Sequence, residues 1–196
     1  RVKEDPAAQP EFLEASEYYL AHIAFAEDRL TTALEAFEAL SAIDAFKDAV
    51  PLYIGQILYR LQRFDEFAAR APEWLSEERD LAKGDRNELT RMLGEVLFHL
   101  GDCTSASPYL ESAWSNADPQ ERTPGFSYIV GTCRLANGNP GTAITALMRA
   151  TGGGSALDQY ATHAMGRAYL ELDEKPKAQS AFEKAATMDH DIEIRE

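Results

Sequence analysis

A large apolar residue followed at once by a small one recurs five times along the chain, as Leu20-Ala21, Ile54-Gly55, Leu93-Gly94, Val130-Gly131 and Met165-Gly166. Successive small residues lie 34, 39, 37 and 35 positions apart. Twelve residues beyond four of them stands an alanine (Ala33, Ala106, Ala143, Ala178), and four residues after each alanine stands a large apolar side chain (Phe37, Leu110, Leu147, Phe182). Residues four apart share a helix face, so each unit reads as two amphipathic helices. The small residue lets the second helix approach closely, the alanine receives it, and the large side chain fills the next turn. Helices of ~12–15 residues are marginal alone, so such pairs must bury their faces against neighbours in a stack.

The pattern predicts ten helices near 12–26, 30–41, 46–61, 64–79, 86–100, 104–116, 120–137, 140–151, 156–172 and 175–188. Glu27-Asp28-Arg29, Gly101-Asp102, Asn137-Gly138-Asn139 and Asp173-Glu174-Lys175 mark turns inside repeats. Pro51, Pro140 and Pro176 suit first turns, where a missing N–H costs little, whereas Pro72 should kink or end the fourth helix. The second repeat departs most, with Phe67 and Ala71 where the others have alanine and a large residue, and its extra length falls around Glu73-Trp74-Leu75. Thr151-Gly152-Gly153-Gly154-Ser155 reads as a loop after a helix end.

A period near 34 residues is that of the tetratricopeptide repeat (TPR). The chain resembles a TPR protein over residues 11–190, most clearly in Met165-Gly166-Arg167-Ala168-Tyr169 with Ala178, Phe182 and Ala185. The resemblance implies an all-α, right-handed α-α superhelix, a solenoid of about five TPR helix pairs, with repeats near 14–45, 46–82, 86–119, 120–153 and 156–190. Residues 1–10 would be an N-terminal extension and 191–196 the truncated start of a following segment, so the chain reads as a piece of a longer protein. Tyr18 to Phe25, Pro51 to Tyr59 and Met188-Asp189-His190-Asp191 also resemble long envelope TPR proteins of gliding-type Gram-negative bacteria. That likeness favours a periplasmic or cell-envelope location, with the cytoplasm as the alternative.

TPR proteins are generic holders of partners, and their first helices line the concave face. Carrying the family's groove positions over gives Tyr18, His22 and Phe25; Leu52, Gln56, Tyr59 and Arg60; Arg91, Glu95, Phe98 and His99; Tyr128 and Thr132; and Tyr160, His163 and Arg167. Phe25, Tyr59 and Phe98 serve equally well as core. Tyrosine and arginine often carry interface energy, and Arg60, Arg91 and Arg167 could fork onto an acidic or C-terminal carboxylate of a bound peptide. The lysine and asparagine clamp of the co-chaperone TPR proteins is absent from the matching positions.

Thirty-three acidic against nineteen basic residues give a net charge of −14. Dispersed over helix faces, as at Glu14, Glu17, Glu35 and Glu38, they make a solvated surface, and the lack of a basic stripe disfavours nucleic acid. No run of ~18 apolar residues suggests a membrane span. No phosphate loop or nucleophile elbow appears, and His22, His99 and His163 lack metal-ligand spacing, so no catalytic residue, metal or cofactor is expected. Cys103 and Cys133 are expected as two buried free thiols, with a disulfide as the alternative open to an exported protein. The expected function is a non-catalytic protein- or peptide-binding scaffold within a larger assembly. The alternatives are homo-oligomer formation through end helices, with Ala181, Ala185 and Met188 as the exposed face, and a regulatory domain of a larger enzyme.

Overall fold

A computed structural model describes residues 10–188, with side chains from residue 12. Most of the expected N-terminal extension, the end of the fifth repeat and the segment 191–196 lie outside the described residues. Among those described there are ten helices and no strand: α1 Pro10–Ala26, α2 Leu30–Ser41, α3 Pro51–Arg60, α4 Phe64–Trp74, α5 Lys83–His99, α6 Cys103–Asn116, α7 Pro124–Ala136, α8 Pro140–Arg149, α9 Ala156–Glu171 and α10 Lys175–Thr187. They form two compact units, and the division falls inside α5, after Val96.

Every helix pair turns over in the same way. Seven residues beyond each small residue of the repeat the backbone enters the left-handed region, at Asp28 (φ 60°), Gln62 (56°), Gly101 (82°), Gly138 (73°) and Asp173 (57°). The next N–H reaches back five residues to a carbonyl of the first helix: Arg29 to Ala24, Arg63 to Leu58, Asp102 to Leu97, Asn139 to Arg134 and Glu174 to Tyr169, each at 2.9 Å. This is the 6→1 bond of a Schellman ending, and it satisfies carbonyls the helix would otherwise leave open. Glycine fits that conformation without a Cβ penalty. Gln62 adopts it despite its side chain, which is why residue type alone did not mark the turn of the second repeat.

In the first unit α1 packs on α2, α2 on α3 and α3 on α4, around Ala21, Ala33, Leu34, Phe37, Ile54, Ile57 and Leu58. The second repeat solves the close approach differently. A Cβ on Gly55 would lie 3.0 Å from Phe67 Cε2 and 2.9 Å from Leu89 Cδ2, so the filling side chain sits twelve residues beyond the glycine rather than sixteen, and Ala71 leaves it room. α3 begins at Pro51 rather than 46, because residues 44–49 form turns. α4 ends at Trp74, two residues after Pro72. The connection that follows is held by Arg86, whose guanidinium donates to the carbonyls of Leu75 (2.6 Å), Ser76 (3.2 Å) and Arg79 (2.8 Å).

In the second unit α6 packs on α7, α7 on α8, α8 on α9 and α9 on α10. A Cβ on Gly131 would lie 2.7 Å from Leu147 Cγ, and one on Gly166 would lie 2.6 Å from Phe182 Cε1, so the large residue sixteen positions on, and not the alanine expected twelve positions on, fills the space beside the glycine. The Gly-rich loop is more than a helix exit. Asp158, 7% exposed, accepts the N–H groups of Gly152 (2.9 Å), Gly153 (3.3 Å) and Gly154 (2.9 Å), tying the loop to the first turn of α9. Burial works against the Asp158 charge, but those three donors overcome it and hold its pKa below the usual carboxylate range.

Two expectations are overturned here. Cys103 and Cys133 are joined in a disulfide rather than free. Stacking α6 on α7 brings the start of one helix beside the last turn of the other, with a Cα–Cα distance of 4.9 Å that the bond can span. Ala181 and Ala185 do not form an exposed end face either; they are 9% and 0% exposed. The side of α10 that reaches solvent is Lys175, Lys177, Gln179, Ser180, Glu183 and Lys184.

Gly131→Leu and Gly166→Leu should each cost on the order of 1–3 kcal/mol through overpacking, whereas Gly141→Ala, whose Cβ would meet nothing within 4 Å, should leave the thermal midpoint nearly unchanged. Gln62→Gly should raise stability by roughly 0.5–1 kcal/mol by relieving the left-handed residue, read by urea unfolding.

Candidate functional site

Three first helices of the first unit converge on one concavity. Pro51 starts α3 without losing a needed hydrogen bond, and Gln56, Tyr59 and Arg60 then share a face at i, i+3 and i+4. Glu88, Arg91 and Met92 do the same on α5, and α1 contributes Phe25. These seven residues line a cavity of about 320 Å³.

Its electrostatics are settled within the chain. Arg91 donates to Glu88 through Nε (3.0 Å) and Nη2 (2.6 Å), and through Nη1 to Glu95. Glu95 is 5% exposed and accepts a second bond from Tyr59 Oη at 3.0 Å. Burial, reinforced by the Glu95 charge, pushes the Tyr59 hydroxyl up to about 12, so it remains a donor at neutral pH. Burial disfavours the Arg91 charge, but the two carboxylates outweigh it and its pKa is raised. Arg60 bonds Asp28 at 2.7 Å and lies 5.4 Å from the centre of the Phe25 ring.

The other candidates fall in different surroundings. Tyr18 and His22 pack inward among α1, α2 and α3 rather than into the cavity. The His22 ring is 4.3 Å from Tyr18, 5.2 Å from Phe37 and 4.4 Å from Tyr53, while Tyr18 stacks on Phe46 at 5.1 Å. His22 Nε2 is buried with no hydrogen-bond partner, and burial lowers the pKa of the ring. In the second unit, first helices present a ladder of rings, Phe98 to Tyr128 at 6.4 Å and Tyr128 to Tyr160 at 6.5 Å. His99 is exposed beside Phe98, and Thr132 is half-buried with its hydroxyl unpartnered. His163 packs 5.3 Å from Phe182 with its pKa lowered, by burial first and by Arg167 second. Arg167 is exposed and, among the described residues, forms no ion pair. Leu52 is half-buried.

Sequence reasoning thus reached Gln56, Tyr59, Arg60 and Arg91 of the cavity, and Phe25 as a residue that could serve groove or core. It missed Glu88 and Met92. Glu88 stands three residues before Arg91, and that pairing was the available signal. Among the described residues no group of three or more His, Cys, Asp or Glu converges as metal ligands would, and no helix is long and apolar enough to cross a membrane.

No protein-family model and no curated protein matches the sequence. Solved structures do match the fold. YrrB, described as a TPR protein with an unusual peptide-binding site, superposes with a TM-score of 0.72 at 20% identity, over 91% of this chain and 87% of its own. A mutant of MamA gives 0.72 at 17% identity over 92% and 100%, and MamA from Desulfovibrio magneticus gives 0.64 at 14% over 89% and 94%. At such identities the likeness is one of architecture, and the architecture is that of the tetratricopeptide-repeat solenoids.

Arg91→Ala should destabilise the chain by on the order of 2 kcal/mol, because Glu95 would stay buried with half its compensation gone; Glu95→Gln in the Arg91→Ala background should recover part of that loss. His22 and His163 have lowered folded pKa values, so the unfolded chain takes up protons first as pH falls below about 6.5. Their contribution is therefore complete above that pH and is lost as pH falls through the lower folded values. The thermal midpoint should drop between pH 7.5 and 5.5, with a shallower slope in His22→Phe.

Proposed function

We propose that this chain is a non-catalytic scaffold that binds a protein or peptide segment on the first helices of its repeats. The observation that supports it most directly is the cavity built by α1, α3 and α5, apolar at Phe25 and Met92, with Gln56 at its polar edge. Concave sites with apolar walls and a few placed polar groups are the usual form of ligand pockets. The occupant proposed is a segment that inserts one apolar side chain and offers backbone amides to Gln56.

An acidic or C-terminal carboxylate on the partner loses support. Arg60 and Arg91 are already bonded to Asp28, Glu88 and Glu95, so an incoming carboxylate would have to displace one of the chain's own. In the second unit the Phe98–Tyr128–Tyr160 ladder, with Thr132, His163 and Arg167 nearby on the same helices, is a second recognition surface in this reading. A YrrB-like peptide-binding role accords with the shared fold. The disulfide supports a location where thiols oxidise, in line with export to the envelope.

Peptides selected from a random displayed library on the wild-type chain should bind Phe25→Ala and Gln56→Ala at least tenfold more weakly, a loss of about 1.4 kcal/mol or more, with unchanged melting. Equal affinity in both variants would place the site elsewhere.

A further inference from the structure

Helix α1 carries an apolar stripe of which two positions, Leu20 and Ile23, have counterparts that are mostly covered in later first helices. Phe12, Tyr19, Leu20 and Ile23 are 64%, 67%, 53% and 49% exposed. The repeat register shows what those positions meet elsewhere. Three counterparts of Leu20 (Ile54, Leu93 and Val130) are each 1% exposed and the fourth, Met165, is half-buried, while those of Ile23 (Ile57, Val96, Cys133 and Ala168) are at most 1% exposed. Contacts of α2 with α3, α6 with α7 and α8 with α9 account for the covering where they occur. Exposure of Leu20 and Ile23 is therefore the mark of a stacking face on which no other described residue is stacked.

We propose that this face is a homodimer contact, with α1 of one copy lying antiparallel on α1 of a second about a two-fold axis. Residues 12, 16, 19, 20 and 23 fall on one side of the helix, and none is charged, while Glu14 and Glu17 lie off the stripe. The face is self-complementary in the way a two-fold contact requires. A register that sets Phe12 against Ile23 of the second copy also sets the large Tyr19 over the small Ser16, once on each side of the axis. Ser16 directs its hydroxyl to the Phe12 carbonyl at 2.6 Å, so it asks nothing of the interface.

Area and charge fit a modest dimer. At about 150–250 Å² for a large side chain, the four exposed fractions amount to roughly 350–580 Å² per copy, and covering them fully on both copies gives roughly 700–1,150 Å², at the low end of specific interfaces. The other terminal helix is a poor alternative, since the exposed side of α10 is polar at Gln179, Ser180, Glu183 and Lys184. Two copies that each carry −14 repel one another, so an apolar contact between them strengthens as salt screens that repulsion. None of this depends on the peptide-binding reading, because the stripe shares no residue with the cavity.

Sedimentation velocity on the full 196-residue chain over a concentration series tests it. Wild type should show a reversible dimer whose fraction rises with sodium chloride. Ile23→Glu and Tyr19→Ser should weaken it at least about tenfold, since the first buries an unpaired charge and the second removes the central ring, with the circular dichroism of both unchanged. A wild-type chain that stays monomeric throughout overturns the proposal. So does a dimer that survives both substitutions, or one abolished instead by Ser180→Glu on α10.

Discussion

The distance of closest approach between the two helices of a pair depends on what the first helix lacks. At Gly131 and Gly166 the space that a Cβ would take belongs to Leu147 and Phe182, and a packed interior has no slack to share it. Once those helices touch, their common turn is obliged to close within a few residues. The left-handed ending at Gly138 and Asp173, with its bond back into the first helix, is the backbone solution that does so. Contacts with the next repeat, and the faces left for partners, follow from that spacing.

The same constraint explains how far the sequence could be read. Spacing between small and large residues is a local, volumetric signal, so the helices are legible in the sequence, whereas the partner of the glycine is not: Leu147 and Phe182, rather than the alanines four residues before them, lie against Gly131 and Gly166. Where volume was conserved but rearranged, legibility failed in detail: Phe67 fills the hollow beside Gly55 from one turn earlier, and the pattern registered only a departure. Gln62 shows a related limit, because the left-handed turn was recognisable where glycine or aspartate announced it.

The site was legible by position and less so by chemistry. Register placed Gln56, Tyr59, Arg60 and Arg91 on one surface, and they do line one cavity. What register could not supply was pairing. Asp28 lies 32 residues before Arg60, and Glu95 gathers both Arg91 and the hydroxyl of Tyr59, 36 residues away; carboxylates so placed pair Arg60 and Arg91 within the chain. Tyr18 and His22 lie apart from that cavity, with their rings against Phe37, Phe46 and Tyr53. The cysteines and the last helix taught the same lesson, since Cys103 meets Cys133, and Ala181 turns inward, only through the stacking of neighbouring helices.

The bond between Cys103 and Cys133 also changes how the chain would behave under tension. A stack of helix pairs joined only by nearest-neighbour contacts can lengthen by opening one pair at a time. With residues 103 and 133 tied together, the 29 residues between them are taken out of the load path, which withholds on the order of 100 Å of extended chain. Oxidised, this part of the molecule transmits a pull through sulfur rather than through helix α6, the connection after it and most of α7. For a link between two bodies, that removes the yield of this one segment, while the helix pairs outside it remain free to open.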